Sequence, residues 1–428
     1  MTETTGYPNG RPEGVPIVEF DLASYNGVET SNAAWDDLRK KCPIAWSDDN
    51  AGAWLISSHE LVTAAFRNWE SFRSSRNVRD FDGQGGSPEW VPVSSIPIPI
   101  KDLVIPEELD PPMWDPYRRA FAELLSPRAT EALKPRIKYW TTKRLDDVIE
   151  TGQMDIVHTL SNGVSAAVIL EWLGFPEEVW ERLSDAFHNR ASLAAGSEEE
   201  RRYLEDLAWS FERIEEKTVS VRECPTKDAA SFFANVEVGG ERTSFEYAKG
   251  MINLAVAGGV DTTTSVASAA WLHLHRHPED RQRLLDEPEL IDRAVEEFLR
   301  MYPPARTHGR TVVQDTELGG LTLRKDDRII LSEVSANRDE AAFADADKFI
   351  IDRFPNRHVS FGIGIHRCPG SHLARAMFKE MLTQVLERIP DYRVDEDGTA
   401  EFPNCSMISS WARMPITFTP GERRLPQQ

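Results

Sequence analysis

The stretch Phe361-Gly362-Ile363-Gly364-Ile365-His366-Arg367-Cys368-Pro369-Gly370 presents one cysteine from a glycine-rich loop, immediately ahead of a helical pattern running from Ser371 to Arg388. Pro369 suits the first position of that helix, where its missing N–H costs nothing. The positive end of the helix then points back at Cys368. Both features favour a deprotonated sulfur, the form that ligates metals. Gly362, Gly364 and Gly370 allow tight turns and let the backbone approach a flat macrocycle without a Cβ clash. The arrangement suits a thiolate offered to haem iron.

Other readings of the loop are weaker. A lone cysteine is commonly a small buried hydrophobe, but that does not account for the glycines around it. A dinucleotide-binding loop would need glycine where Arg367 stands. Zinc would need a second ligand pair beside His366-x-Cys368, and none is spaced for it.

The loop resembles the haem-binding signature of the cytochrome P-450 superfamily, Phe-x-x-Gly-x-x-x-Cys-x-Gly, with Phe361, Gly364, Cys368 and Gly370 at the fixed positions. The resemblance extends from Trp35 to Phe418. It implies haem b as cofactor, with Cys368 on the iron and Phe361, Gly362 and Gly370 beside it.

Composition agrees with a soluble enzyme of that kind. The chain has 428 residues, 40% apolar and 28% charged, with no low-complexity divider. We expect a flexible segment over 1–20 and one domain over 21–428. A net charge of −21 disfavours nucleic acid, whose phosphates it would repel. Cys42, Cys224, Cys368 and Cys405 show no framework spacing, which suits a reducing cytoplasm without disulfides. The polar start, with Pro8, Pro12 and Pro16, has neither a signal peptide's apolar core nor a membrane anchor.

Periodicity predicts mostly helices with a smaller, segregated sheet, a predominantly α, α+β architecture. Helical patterns cover Trp35–Lys41, His59–Arg67, Tyr117–Leu125, Pro127–Thr151, Met154–Leu173, Glu177–Ser192, Glu198–Glu223, Ser244–Arg276, Pro278–Asp286 and Pro288–Tyr302. Strand patterns are Ile44–Trp46 with Ala53–Ile56 as a hairpin, Arg310–Val313, Leu318–Leu323, Arg328–Leu331 and a pair within Met407–Phe418.

Three further constellations follow from the resemblance. Gly258-Gly259-Val260-Asp261-Thr262 is similar to the family's oxygen-activation motif, which makes Asp261 and Thr262 the expected proton-delivery residues. By composition alone the glycines could instead admit a neighbouring helix, and the threonines could bond the i−4 carbonyl. Glu297-x-x-Arg300, preceding Phe349-x-x-x-Arg353, matches the family's buried ionic cluster of Glu297, Arg300 and Arg353. His366, Arg310, Arg118 and Trp114 stand where the family places partners for the haem carboxylates, with Trp114 replacing a common histidine.

By position, the substrate-contacting residues would be Ile98, Ile100, Val256, Ala257, Gly258, Val260, Ala305, Thr307, Met407 and Ile408. They are mostly apolar, and point to a terpenoid, steroid-like or alkyl-aromatic substrate. The resemblance thus implies a monomeric monooxygenase that takes O2 and uses electrons from ferredoxin and ferredoxin reductase. A haem-binding sensor or carrier and a peroxide-driven peroxygenase are the alternatives, and the Asp261/Thr262 pair argues against both.

Overall fold

The computed structural model describes residues 11–25, 27–49, 52–74, 104–188, 198–402 and 407–426. Ile98, Ile100 and Cys405 therefore lie outside the described residues. Thirteen α-helices are present among those described. The first four are α1 (Val28–Lys41), α2 (His59–Arg67), α3 (Trp114–Leu124) and α4 (Pro127–Asp146). Next come α5 (Gly163–Trp172), α6 (Trp180–His188), α7 (Glu198–Glu223), α8 (Ala229–Ala234) and α9 (Phe245–Arg276). The last are α10 (Pro278–Asp286), α11 (Ile291–Met301), α12 (Glu333–Ala336) and α13 (Ser371–Arg388). None is long and apolar enough to cross a membrane.

The strands are β1 (Ile17–Val18), β2 (Ile44–Ser47), β3 (Ala53–Ile56), β4 (Phe72–Arg73) and β5 (Gln153–Asp155). They continue with β6 (Glu237–Val238), β7 (Glu241–Arg242), β8 (Thr307–Val312), β9 (Thr316–Leu318) and β10 (Leu321–Leu323). The chain ends with β11 (Arg328–Ser332), β12 (Arg393–Val394), β13 (Ala400–Glu401), β14 (Trp411–Arg413) and β15 (Pro415–Thr417).

The 32-residue α9 threads the main hydrophobic core. Ser244 starts it by accepting a hydrogen bond from the Tyr247 N–H at 3.1 Å, which satisfies one of the donors a helix N-terminus leaves open. Helices α5, α6, α7, α8 and α13 all pack on it, so it is apolar on most sides. Helix α11 is more one-sided: Ile291, Ala294, Val295, Phe298 and Leu299 recur at helical spacing and face that core.

The largest sheet runs β1-β2-β3-β11-β8-β4. Trp46 and Trp54 are cross-strand partners in its hairpin, their rings edge to face at 5.7 Å. Strand β8 pairs antiparallel with β11, setting His308 opposite Leu331 and Arg310 opposite Ile329. Residues 17 and 18, expected in the loose N-terminal segment, pair in parallel with β2.

Several expectations need correction. Met154 does not open a helix: its strand pairs with β15, a π-helical turn follows over Val157–Asn162, and only then does α5 begin. An apolar run has no periodicity to distinguish these states, and pairing with Ile416 decides. The segment Leu318–Leu323 is a hairpin rather than one strand, because Gly319 and Gly320 (φ +61° and +77°) turn the chain back. The last two strands do not pair with each other; β14 joins β13, while β15 lies between β12 and β5.

Candidate active site

A cavity with about 1420 Å³ of space between atoms, part of it open to solvent, lies among α9, the 361–370 loop, α13, α3 and β8. Phe121, Leu125, Ile169, Trp172, Leu254, Val266, Leu373 and Met377 give it apolar walls.

Cys368 lines this cavity. Its N–H donates to the Phe361 carbonyl at 2.7 Å, and the Gly362 N–H donates to the Val359 carbonyl at 2.7 Å, so the loop is held by its own backbone. Gly364 has φ +77°, and a Cβ there would come within 2.5 Å of the Phe66 carbonyl oxygen; only glycine fits where the loop meets the end of α2. Burial pushes the thiol of Cys368 up from its ordinary pKa, against the Gly370 N–H and the charges of Arg118 and Arg367. The N–H at the helix entrance does act toward the thiolate, but burial outweighs it, and a bound metal cation would supply the missing charge. Pro369 is also displaced from the first helical position. The Gly370 carbonyl accepts from the Ala374 N–H at 2.9 Å, so α13 starts at Ser371.

Arg118, Arg310, His366 and Trp114 all line the cavity. Arg310 is 4% exposed, yet its one side-chain hydrogen bond among the described residues goes to the adjacent Gly309 carbonyl, at 2.6 Å. A buried guanidinium so poorly satisfied fits an anionic ligand. Arg118 donates to the Arg367 carbonyl at 2.5 Å. His366 lies 3.2 Å from Asp110 through Nε2, and its ring meets Trp114 edge to face at 6.0 Å. A sulfur and two arginines around one slot suit a metal macrocycle that carries carboxylates, so the residues present fit haem.

On α9 the Gly-Gly pair divides its duties. A Cβ on Gly258 would meet only Leu254 Cδ1, at 3.8 Å, whereas one on Gly259 would come within 2.6 Å of Ile169 Cδ1. Gly258 leaves space in the cavity, and Gly259 admits α5. Thr262 lines the cavity and donates from Oγ1 to the Gly258 carbonyl at 2.8 Å; Thr264 and Ser265 make the same i−4 bond to Val260 and Asp261. Asp261 does not accompany Thr262. It is turned about 100° around the helix and is not among the residues lining the cavity. Its Oδ1 instead lies 2.8 Å from His188 Nδ1, and His188 Nε2 lies 3.0 Å from the Trp411 carbonyl.

The Glu297 cluster is assembled in the core. Arg300 forks onto both carboxylate oxygens at 2.8 Å, and Arg353 Nε reaches both at 3.1 Å. Arg300 also donates to the carbonyls of Asn337, Ala346 and Lys348. The cluster thereby ties α11 to the segment leading into the cysteine loop.

Of the expected substrate residues, Gly258 and Ala305 line the cavity. Val256, Ala257, Val260, Thr307, Met407 and Ile408 are not among its lining residues; α9 turns Leu254, Ala255, Gly258, Thr262 and Val266 to it instead. Ile408 pairs with Ala305 in an isolated bridge, and Met407 accepts a hydrogen bond from the Arg306 N–H at 2.8 Å. Three charged residues of this region escaped the sequence reading: His188, Glu107 and His308. His308 precedes the expected strand Arg310–Val313; β8 in fact starts at Thr307, which puts His308, two residues before Arg310, on the same face.

A family model described as Cytochrome P450 matches residues 145–407, more than half of the chain. The mycinamicin IV hydroxylase/epoxidase of Micromonospora griseorubida is 33% identical over 353 residues, covering 80% of this chain and 83% of that protein. The linalool 8-monooxygenase of Pseudomonas putida is 28% identical over 368 residues, 81% and 87% of the two chains. The steroid C26-monooxygenase of Mycolicibacterium smegmatis is 34% identical over 280 residues, 65% and 70%. Among solved structures, a Mycobacterium marinum cytochrome P450 in complex with pseudoionone superposes with a TM-score of 0.82 at 24% identity, covering 93% of this chain and 96% of that one.

Proposed function

The chain belongs to the cytochrome P450 family, and from that premise we propose that it hydroxylates a small apolar organic molecule with electrons from ferredoxin and ferredoxin reductase. Monooxygenase activity and a haem cofactor go with the family. The observation that carries the residue roles is the Cys368 sulfur in a cavity that also presents Arg118, Arg310 and Thr262.

When bound, haem held by a thiolate supplies the centre at which O2 is reductively cleaved, one oxygen atom entering a C–H bond and the other leaving as water. Cys368 would hold the iron, while Phe361, Gly362 and Gly370 shape the loop around it. Arg118 and Arg310, assisted by His366 and Trp114, would hold the carboxylates by charge-assisted hydrogen bonds. The apolar walls orient the substrate and exclude bulk water. Thr262 would hold a water or proton at the cavity, and Asp261 would connect that point to solvent when its bond to His188 opens. Glu297, Arg300 and Arg353 would hold the cysteine loop in place.

The apolar lining supports a terpenoid, steroid-like or alkyl-aromatic substrate, and two relatives are named for linalool and for a steroid. We place residues 21–428 in one unit that works as a monomer in the cytoplasm.

The reduced carbon monoxide adduct of the wild type should show the strongly red-shifted thiolate band, and Cys368→His should lose it while Cys42→Ser and Cys224→Ser keep it. An unshifted wild-type adduct overturns the ligand assignment. For the substrate, terpenoid and steroid compounds are screened for a low-to-high spin shift and for reductant-dependent O2 consumption. A library in which only polar compounds produce both responses contradicts the apolar reading.

A further inference from the structure

His308 and Arg310 stand two residues apart on β8, so their side chains share one face of the sheet, and both line the cavity. Phe66 packs against both, its ring edge to face with His308 at 6.1 Å and 5.5 Å from the Arg310 guanidinium. Behind the strand, His308 Nδ1 is hydrogen-bonded to Glu333 Oε1. Glu333 is fully buried at the start of α12, and its other carboxylate oxygen has no hydrogen-bond partner. A buried carboxylate balanced by one imidazole keeps that imidazole protonated, since leaving the acid alone would strand a charge in the core. The remaining ring donor, Nε2–H, lies 3.9 Å from Glu107, beyond hydrogen-bond reach. Among the described residues this cationic donor has no hydrogen-bonded acceptor, and it stands beside Arg310, whose one side-chain hydrogen bond goes to the adjacent Gly309 carbonyl.

We propose that His308 is a further anchoring residue for the carboxylates of the cofactor, a cationic N–H donor held ready by Glu333 next to Arg310. The inference rests on the haem reading above. The charged groups facing His308 are Glu333 from α12, Glu107 from the segment before α3 and Arg310 from its own strand. Burial would lower the histidine's pKa, but the charge and hydrogen bond of Glu333, helped by Glu107, hold it above the ordinary value. Glu107 therefore acts twice, keeping the proton on His308 while repelling an incoming carboxylate.

The test reads haem retention, not turnover: the rate at which the ferric holoprotein gives up haem to excess apomyoglobin, from pH 5.5 to 8.5. A charge-assisted hydrogen bond of ordinary strength predicts loss about tenfold or more faster in His308→Phe. His308→Gln should fall between that variant and wild type, because it keeps a neutral donor. Glu333→Gln should match wild type at pH 5.5 and lose haem progressively faster as pH rises through the ordinary histidine range, where its His308 gives up the proton. Glu107→Gln should slow the loss. Should His308→Phe fail to fold with Glu333 stranded, the double variant His308→Gln/Glu333→Gln removes both charges at nearly constant size and must still lose haem faster. Wild-type rates in the histidine variants across the whole range, or a Glu333→Gln effect independent of pH, overturn the proposal. A wild type that takes up no haem would instead defeat the functional reading itself.

Discussion

His188 Nδ1 lies 2.8 Å from Asp261 Oδ1 while its Nε2 lies 3.0 Å from the Trp411 carbonyl, so one buried ring joins α6, α9 and β14. Carboxylates and carbonyls only accept, so the ring must donate from both nitrogens and carry a proton on each. Burial alone would lower its pKa, but the hydrogen bond and charge of Asp261 raise it above the ordinary 6.5. A group raised in the folded state contributes its stability fully below the unfolded value and loses it as pH rises through the folded one. Wild type should therefore weaken as pH climbs above 6.5. In His188→Gln that slope should flatten, with about 3 kcal/mol lost at pH 6. Urea unfolding midpoints from pH 6 to 9 measure both, and parallel curves for the two proteins would exclude the pair as their source.

Thr262 spends its hydroxyl proton on the Gly258 carbonyl and so offers the cavity only lone pairs. Thr262→Val keeps the shape and removes the oxygen. It should bind substrate and accept electrons nearly normally while diverting most reducing equivalents to hydrogen peroxide, because the proton-carrying water that the oxygen would position typically contributes about 10² to 10⁴ in rate. The peroxide-to-product ratio decides, and full coupling in the variant would reduce the hydroxyl to packing. Asp261→Asn should lower turnover and raise the solvent isotope effect.

Arg300 is fully buried and bonds Glu297 through two nitrogens. Arg300→Met leaves the Glu297 charge with a single arginine and should cost about 3–5 kcal/mol, as breaking a buried pair does. Glu297→Gln alone should be comparably damaging, and the double variant Glu297→Gln/Arg300→Met should cost less than the sum. Additive losses would mean that the two side chains act independently.

Glu296 sits under the cysteine loop, held by Arg375 at 2.5 and 2.8 Å and by His358 at 3.0 Å. Burial would raise its pKa, but these hydrogen bonds and charges bring it down to about 2. A depressed carboxylate contributes stability above its unfolded value, here 4.5, and loses it as pH falls toward the folded one. Glu296→Gln should flatten the acid limb of stability between pH 4.5 and 2. Because Arg375 stacks 4.4 Å over Phe361, the same substitution should also disturb the haem absorbance spectrum. A variant with an unaltered acid limb would show that other carboxylates control it.

Local pattern was enough to find the cysteine loop, the extent of α9 and the Trp46/Trp54 hairpin. Each is decided by neighbours in the chain: glycines at positive φ, a serine cap, apolar residues at a helical or alternating period. The Glu297, Arg300 and Arg353 cluster was legible only through resemblance, since the same Glu-x-x-Arg spacing recurs at Glu70/Arg73 with no such role. Tertiary structure alone decided the rest. It placed His188 on Asp261 across 73 residues and His308 on Glu333 across 25, turned Gly258 to the cavity and Gly259 to Ile169, and made Met154 a strand residue by pairing it with Ile416. A helix advances about 100° per residue, so which of two adjacent side chains meets a ligand depends on where the neighbouring helix docks. A buried charge likewise takes whichever partner packing brings within reach, and no short-range period in the chain records that choice.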